Sequence, residues 1–236
     1  MLNILAGIFL ACCALILPLT ITVVLCVRHK GIWKPILLGA LTFSFFQMLT
    51  RIPLLQFVLG EQAWFIAFSS AQPFLYALFL GTTAALFEEG GRFIVMSLFL
   101  KKQRTNLDGF AFGIGHGGIE AILFAGINAL MMVLSESFPS APNLIFAGGI
   151  ERLSAMMMHV AFSIMVIKCL RERNGWWLLL AFAIHTLVDF ISVYAAAALG
   201  VWPLEIVLLI IAAAMGLFVY RTFEKSDDTP QSIKGV

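Results

Sequence analysis

The chain has 236 residues, of which 61% are hydrophobic and only 12% charged, and its mean hydropathy is +0.99. That balance is far from a soluble domain's, so water-soluble enzyme folds are excluded and a polytopic membrane protein is expected. The net charge of +2 gives no basis for a nucleic-acid partner; the lipid bilayer is the expected surrounding.

Residues 3–27, 33–59, 72–100, 109–134, 144–167, 176–199 and 203–220 each supply largely apolar length. Each is long enough to cross a hydrocarbon core of about 30 Å. The expected fold class is therefore all-α, a bundle of seven transmembrane helices. The first stretch has no basic flank before it and is too long for a cleaved signal peptide, so it is expected to stay as a span. Cys12, Cys13, Cys26 and Cys169 sit within or beside spans without metal-ligand spacing and are expected to be packed thiols. No repeat or second domain is visible. Residues 1–222 are expected to form one membrane domain and residues 223–236 a disordered cytoplasmic tail.

Lys and Arg accumulate in cytoplasmic loops. Here Arg28, Lys30 and Lys34 follow the first span, Lys101, Lys102 and Arg104 the third, Lys168, Arg171 and Arg173 the fifth, and Arg221 and Lys225 the seventh. SESFPSAPN (135–143) and GVWP (200–203) carry none, and Arg51 is the one basic residue assigned to the stretch between spans two and three. The pattern places the N-terminus outside and the C-terminus in the cytoplasm, in what is expected to be a prokaryotic plasma membrane.

Ionisable residues within spans are costly, at roughly 2.5–3.5 kcal/mol each at the bilayer centre. The third span carries Glu88, Glu89 and Arg92 inside FEEGGR (87–92); the fourth carries His116 and Glu120. Glu151, Arg152 and His159 follow on the fifth, and His185 and Asp189 on the sixth. Glu88 with Arg92, His116 with Glu120, and His185 with Asp189 are each four residues apart and share a helix face. At a rise of about 1.5 Å per residue these pairs and His159 fall in one layer, roughly 10–20 Å from the cytoplasmic ends. Glu151 and Arg152 fall nearer the other side and read as a separate ion pair or substrate-access element. Neutral polar residues would cross-link helices at lower cost, so the layer is expected to perform chemistry. Gly90, Gly91, Gly113, Gly115, Gly117 and Gly118 flank it, which suits either close helix packing or a cavity.

FEEGGR, FGIGH (112–116) and HTLVD (185–189) resemble the three motifs of the intramembrane CAAX-processing and bacteriocin-protection proteases and the related PrsW-type peptidases. The likeness is strongest to the YhfC-type branch, with its Glu-Glu-x-Gly-Arg and Gly-His-Gly-Gly-x-Glu signatures. It covers spans three to six, about half the chain. The resemblance implies a peptidase that cuts a membrane-associated protein or peptide, with its site in a water-filled cavity open to the cytoplasm. By position, Glu88 matches the catalytic glutamate, Glu89 its neighbour and Arg92 the basic residue that follows. His116 and His185 match the histidines of the second and third motifs, and Asp189 stands where the prenyl-protein enzymes use Asn.

Amide hydrolysis needs an activated water, an acid for the leaving amine and an oxyanion donor. Glu88 is the candidate base, His116 a partner in holding water or protonating the amine, and His185 an oxyanion donor oriented by Asp189. Glu89, Arg92, Glu120 and His159 are the supporting residues. This mechanism uses no cofactor and no metal. The alternative is a zinc enzyme with His116, His159, His185 and Glu120 or Asp189 as ligands and Glu88 as base. A proton-coupled transporter and a non-catalytic membrane scaffold are the readings from other classes; the polar groups' confinement to spans three to six and the absence of repeats weigh against the transporter. The substrate, a prenyl requirement and the oligomeric state are not written in the sequence.

Overall fold

The computed structural model describes residues 1–227, and among these it contains helices and short turns with no strand. Nine helices follow one another: α1 (Leu2–Arg28), α2 (Trp33–Leu59), α3 (Ala63–Ala71), α4 (Pro73–Phe99), α5 (Asn106–Ser135), α6 (Pro142–Glu172), α7 (Trp176–Tyr194), α8 (Ala196–Leu199) and α9 (Val201–Asp227). Six of them, α1, α2, α5, α6, α7 and α9, are long and apolar enough to span a membrane; α3 and α4, bent by 113° to one another, supply the seventh candidate. The protein is thus an integral membrane helical bundle. Two details differ from the expectation. Short α3 was not foreseen, and α9 continues through residues 223–227 of the expected tail; residues 228–236 lie outside the described residues.

The break between α3 and α4 has a local cause. Gln72 precedes Pro73, and the proline ring disfavours helical torsions in the residue before it; Gln72 accordingly leaves the helix at φ −134°, ψ 62°. Proline also explains two of the widened turns inside the spans. Pro18 and Pro53 would each press their rings on the carbonyl four residues earlier. In α1 the turns open to an i→i+5 pattern over Cys12–Ile16, just before Pro18, and in α2 over Ser44–Arg51, just before Pro53; the widened turns at Leu54–Leu59 and, in α5, at Ile122–Gly126 have no proline after them to explain them. Such local widening relieves the clash and re-aims the side chains that follow.

The bundle is built around α6, whose residues Met158 to Ile167 are all buried. Around it lie α1, α5, α7 and α9, while α4 packs along α7 and α2 along α5. Glycine sets these distances. A Cβ on Gly115 would sit 1.9 Å from the Ile36 carbonyl oxygen, and one on Gly39 only 2.1 Å from that of Phe112, so α2 and α5 touch backbone to backbone. Gly113 meets α6 in the same manner, 2.4 Å from the Val160 Cα. Of the six glycines flanking the polar layer, only Gly90 faces open space; the others serve packing. Large apolar side chains such as Leu49, Phe57, Leu134 and Ile210 cover the outside, where a bilayer and not water satisfies them. Trp33, Trp64 and Trp176, all exposed at helix starts, suit the interfacial belts.

Candidate active site

The polar layer forms one connected network in the interior. Glu88 sits at its centre on α4, 3% exposed. Its Oε1 accepts a hydrogen bond from Gln47 Nε2 at 2.7 Å, which leaves Oε2 facing inward. That oxygen lies 2.9 Å from His116 Nε2 on α5 and 3.9 Å from His159 Nδ1 on α6. His159 is fixed from both sides. Its Nδ1 accepts from Arg92 Nη2 at 2.6 Å, and its Nε2 donates to Glu120 Oε2 at 2.6 Å. The bare nitrogen of His159 is therefore Nδ1, the one aimed toward Glu88.

Glu89, one residue on, faces the next helix. Its Oε1 accepts from His185 Nδ1 at 2.7 Å and also binds the Arg92 guanidinium. Arg92 is long enough to serve both glutamates, reaching Glu88 Oε2 at 3.4 Å. Phe162 stacks flat on the His185 ring, with centroids 5.0 Å apart, and Phe43 meets His116 edge-on at 5.3 Å. Asp189 Oδ2 is 3.8 Å from His185 Nε2, beyond hydrogen-bond reach, so Glu89 is the residue that orients this histidine.

All eight residues singled out in the sequence meet here, and others join them. Arg152, expected to stand apart, donates through Nη1 to Glu120 Oε1 at 3.0 Å and also binds Glu151, so that pair belongs to the network. Arg51 lies within α2 and not in a loop: it donates to Gln47 Oε1 at 3.2 Å and to the Leu80 carbonyl oxygen at 2.7 Å. Gln47 carries no charge and so stands outside the set of ionisable residues in the spans. The signal that finds it is again a four-residue spacing, Gln47 to Arg51, in an apolar run.

A cavity of about 190 Å³ opens on this network, lined by Glu88, Glu120, His159, His185 and Asp189, with Arg152 and Ser192 further along. On α7 it is lined from His185 to Ser192, in the half that ends at residue 194, on α6 from Glu151 to Phe162, across the helix middle, and on α9 by Leu208, away from the basic loops. The cavity thus runs toward the uncharged end of the bundle, where the resemblance implied an opening on the basic side.

Among the described residues, the donor atoms that converge are those of Glu88, His116 and His159, all within 4.8 Å of one another and all buried. One carboxylate and two imidazoles form a donor set suited to catalytic zinc. These donors are set among the carboxylates Glu89, Glu120, Glu151 and Asp189 and the guanidiniums of Arg51, Arg92 and Arg152. The zinc set drawn from the sequence differs, since His185 is held by Glu89, and Glu120 stands behind His159. A carboxylate behind a ligating histidine is the usual outer support of a metal site.

Comparison with known proteins bears on the same residues. The profile of a family described as YhfC intramembrane metalloprotease matches residues 13–141 and 130–211, a stretch that contains every helix of the network. An uncharacterized membrane protein YhfC of Bacillus subtilis (strain 168) is 28% identical over 203 residues, covering 75% of this chain and 78% of that protein. No solved structure matches. With the profile spanning the bundle from the first helix into the last, the chain belongs to the YhfC intramembrane metalloprotease family.

Proposed function

We propose that the protein is a metal-dependent intramembrane peptidase that hydrolyses a peptide bond of a membrane-associated protein or peptide. The observation that carries this reading is the convergence of Glu88, His116 and His159 beside a cavity inside the bilayer-spanning bundle. A scaffold gains nothing from such a cluster, because each buried ion costs several kcal/mol of desolvation. The family description supports the activity class, and the likeness to the CAAX-processing and PrsW-type peptidases supports a membrane-borne substrate.

In this mechanism Glu88, His116 and His159 would hold the ion. A divalent metal there would supply Lewis acidity and make a water easier to deprotonate. The remaining steps belong to the chain. Gln47 fixes the Glu88 carboxylate by holding Oε1, and Glu120 fixes the His159 ring by accepting from Nε2. Glu89 accepts from Nδ1 of His185, so Nε2 is the atom left facing the cavity, and as an imidazolium the ring donates from it to a substrate carbonyl oxygen. Asp189 lines the cavity with its side chain 35% exposed and, unlike Glu151, is not bound by Arg152, which makes it the carboxyl group best placed to pass a proton to a leaving amine.

One observation favours the metal-free alternative with Glu88 as base. Arg92 Nη2 already contacts both Glu88 Oε2 and His159 Nδ1, so a guanidinium shares two of the three donors. The deciding experiment joins substrate and metal. Membrane proteomes of cells with the native protein and with Glu88→Gln are compared for a peptide whose cleavage disappears, and untagged purified protein is analysed for metal. One zinc-group ion per chain, lost in His159→Gln, supports the metal reading. Cleavage of the identified peptide by protein stripped of metal establishes the alternative, and cleavage by well-folded Glu88→Gln overturns both.

A further inference from the structure

A cavity of about 830 Å³ lies away from the polar layer, where α5, α6, α7 and α9 meet at the basic end of the bundle. Arg104, Lys168, Arg171 and Arg221 all line it. A loop bias alone would leave such residues splayed in solvent, yet these are assembled. Arg171 Nη1 donates to the Arg104 carbonyl oxygen at 3.3 Å and to Asn106 Oδ1 at 2.9 Å, while Asn106 Nδ2 donates to the Thr222 carbonyl oxygen at 3.1 Å. These bonds tie the start of α5, the end of α6 and the end of α9 into one rim.

Charge in this rim is not balanced from within. Glu172 is the carboxylate that serves it, 2.8 Å from Lys168 Nζ and 3.8 Å from Arg171 Nη2. Among residues 1–224, Arg104 and Arg221 have no carboxylate partner; Arg104 Nη1 donates to the Leu170 carbonyl oxygen at 3.4 Å, and its Nε is buried without a hydrogen-bond partner. A planar guanidinium with free N–H groups is the side chain best matched to phosphate oxygens.

The wall of the same cavity points to what carries the phosphate. Leu217 and Phe218 line it from α9. Leu217 is 50% exposed and continues a stripe with Ile206 and Ile210, 57% and 64% exposed. Positions 206, 210, 217 and 221 fall on one helix face, so an exposed apolar track along α9 ends at Arg221. Trp177, under Lys168 Nζ at 4.6 Å from the ring centroid, marks the level where tryptophan sits at a membrane interface. An acyl chain on the track would deliver its headgroup into the cationic rim.

We infer that this cavity is a binding site for the phosphate headgroup of an anionic phospholipid, with the chain lying along α9. The site is independent of the peptidase reading. It is tested on full-length protein in detergent by native mass spectrometry and thermal unfolding, titrated with dioleoylphosphatidylglycerol, dioleoylphosphatidylcholine or inorganic phosphate. Phosphatidylglycerol is expected to be retained and to raise the unfolding temperature, and the other two are not. The Arg104→Gln/Arg221→Gln variant is expected to lose retention by at least roughly tenfold. Arg221→Glu alone, at an exposed position, covers the case in which the double variant misfolds. Lys30→Gln/Lys34→Gln, removing as much charge from another loop, is expected to bind like the native protein. Equal retention of the two lipids, equal losses in the Lys30 and Arg221 variants, or displacement of the lipid by millimolar inorganic phosphate would overturn the proposal.

Discussion

His159 and His185 look alike in the sequence, each a lone histidine in an apolar span, yet their partners give them different work. His159 turns its bare Nδ1 toward Glu88 and is held from behind by Glu120; His185 is held by Glu89 and faces the cavity. Removing outer support from a ligating histidine commonly costs 10–100-fold in metal affinity. Glu120→Gln is therefore expected to weaken metal binding by about that factor, whereas His185→Gln keeps its metal and loses turnover. Elemental analysis after dialysis against a graded chelator separates the two, and metal loss in His185→Gln with retention in Glu120→Gln would reverse the assignment. Four-residue spacing made most of this network legible, because one helix face can be counted directly. It left Glu88 and Glu89 undecided. The two point about 100° apart, and α4 is flanked by α2, α6 and α7, so each glutamate finds buried partners and Arg92 reaches both. Nothing in the spacing distinguishes a carboxylate that faces two imidazoles from one that faces a single histidine.

At the scale of the helix, the depth of His116 in the bundle depends on glycine. Gly115 and Gly39 let α2 and α5 meet at the backbone, and Gly117 lies against the His159 ring, 3.0 Å from an added Cβ to its Cδ2. Gly115→Ala would place a methyl group 1.9 Å from the Ile36 carbonyl oxygen, which no side-chain rotation relieves. Overpacking of this kind costs about 1–3 kcal/mol or more. Gly90→Ala, with nothing within 4 Å, is expected to be neutral or to gain up to about 1 kcal/mol of helix propensity. Thermal unfolding of the two variants in detergent checks the pair; equal stability would show that the close approach does not govern packing. Helix existence was legible from apolar length because each span must bury its own backbone bonds. The widened turns and the α3–α4 bend were not. Pro18, Pro53 and Pro73 announce a disturbance, but a proline can be met by a kink, a widened turn or a break, and neighbouring helices decide which.

For the whole molecule, two charge features are set against each other along the bundle axis. The basic rim at Arg104, Arg171 and Arg221 occupies one end, and the cavity with its excess of carboxylates reaches toward the other. If the rim faces the cytoplasm, as the loop bias requires, the peptidase cavity opens into the outer half of the membrane. The resemblance alone implied the reverse, since shared motifs identify residues and do not say which neighbouring side chains leave space. Orientation therefore fixes where a substrate bond must lie. Reporter fusions after residue 104 and at the C-terminus are expected to report cytoplasm, and opposite signals would sink the odd-span topology. The cavity is addressed by thiol labelling in a variant without its four cysteines. Ser192→Cys, on the cavity wall, is expected to react in intact cells with a small membrane-impermeant reagent, and Arg171→Cys only after permeabilisation. Labelling of Arg171→Cys from outside, with protection of Ser192→Cys, would invert the molecule and return the cavity to the cytoplasmic side. Metal adds a check that does not depend on the reporters: by the metal-holding reading, an impermeant chelator outside intact cells is expected to inactivate the enzyme in the first case and to spare it in the second.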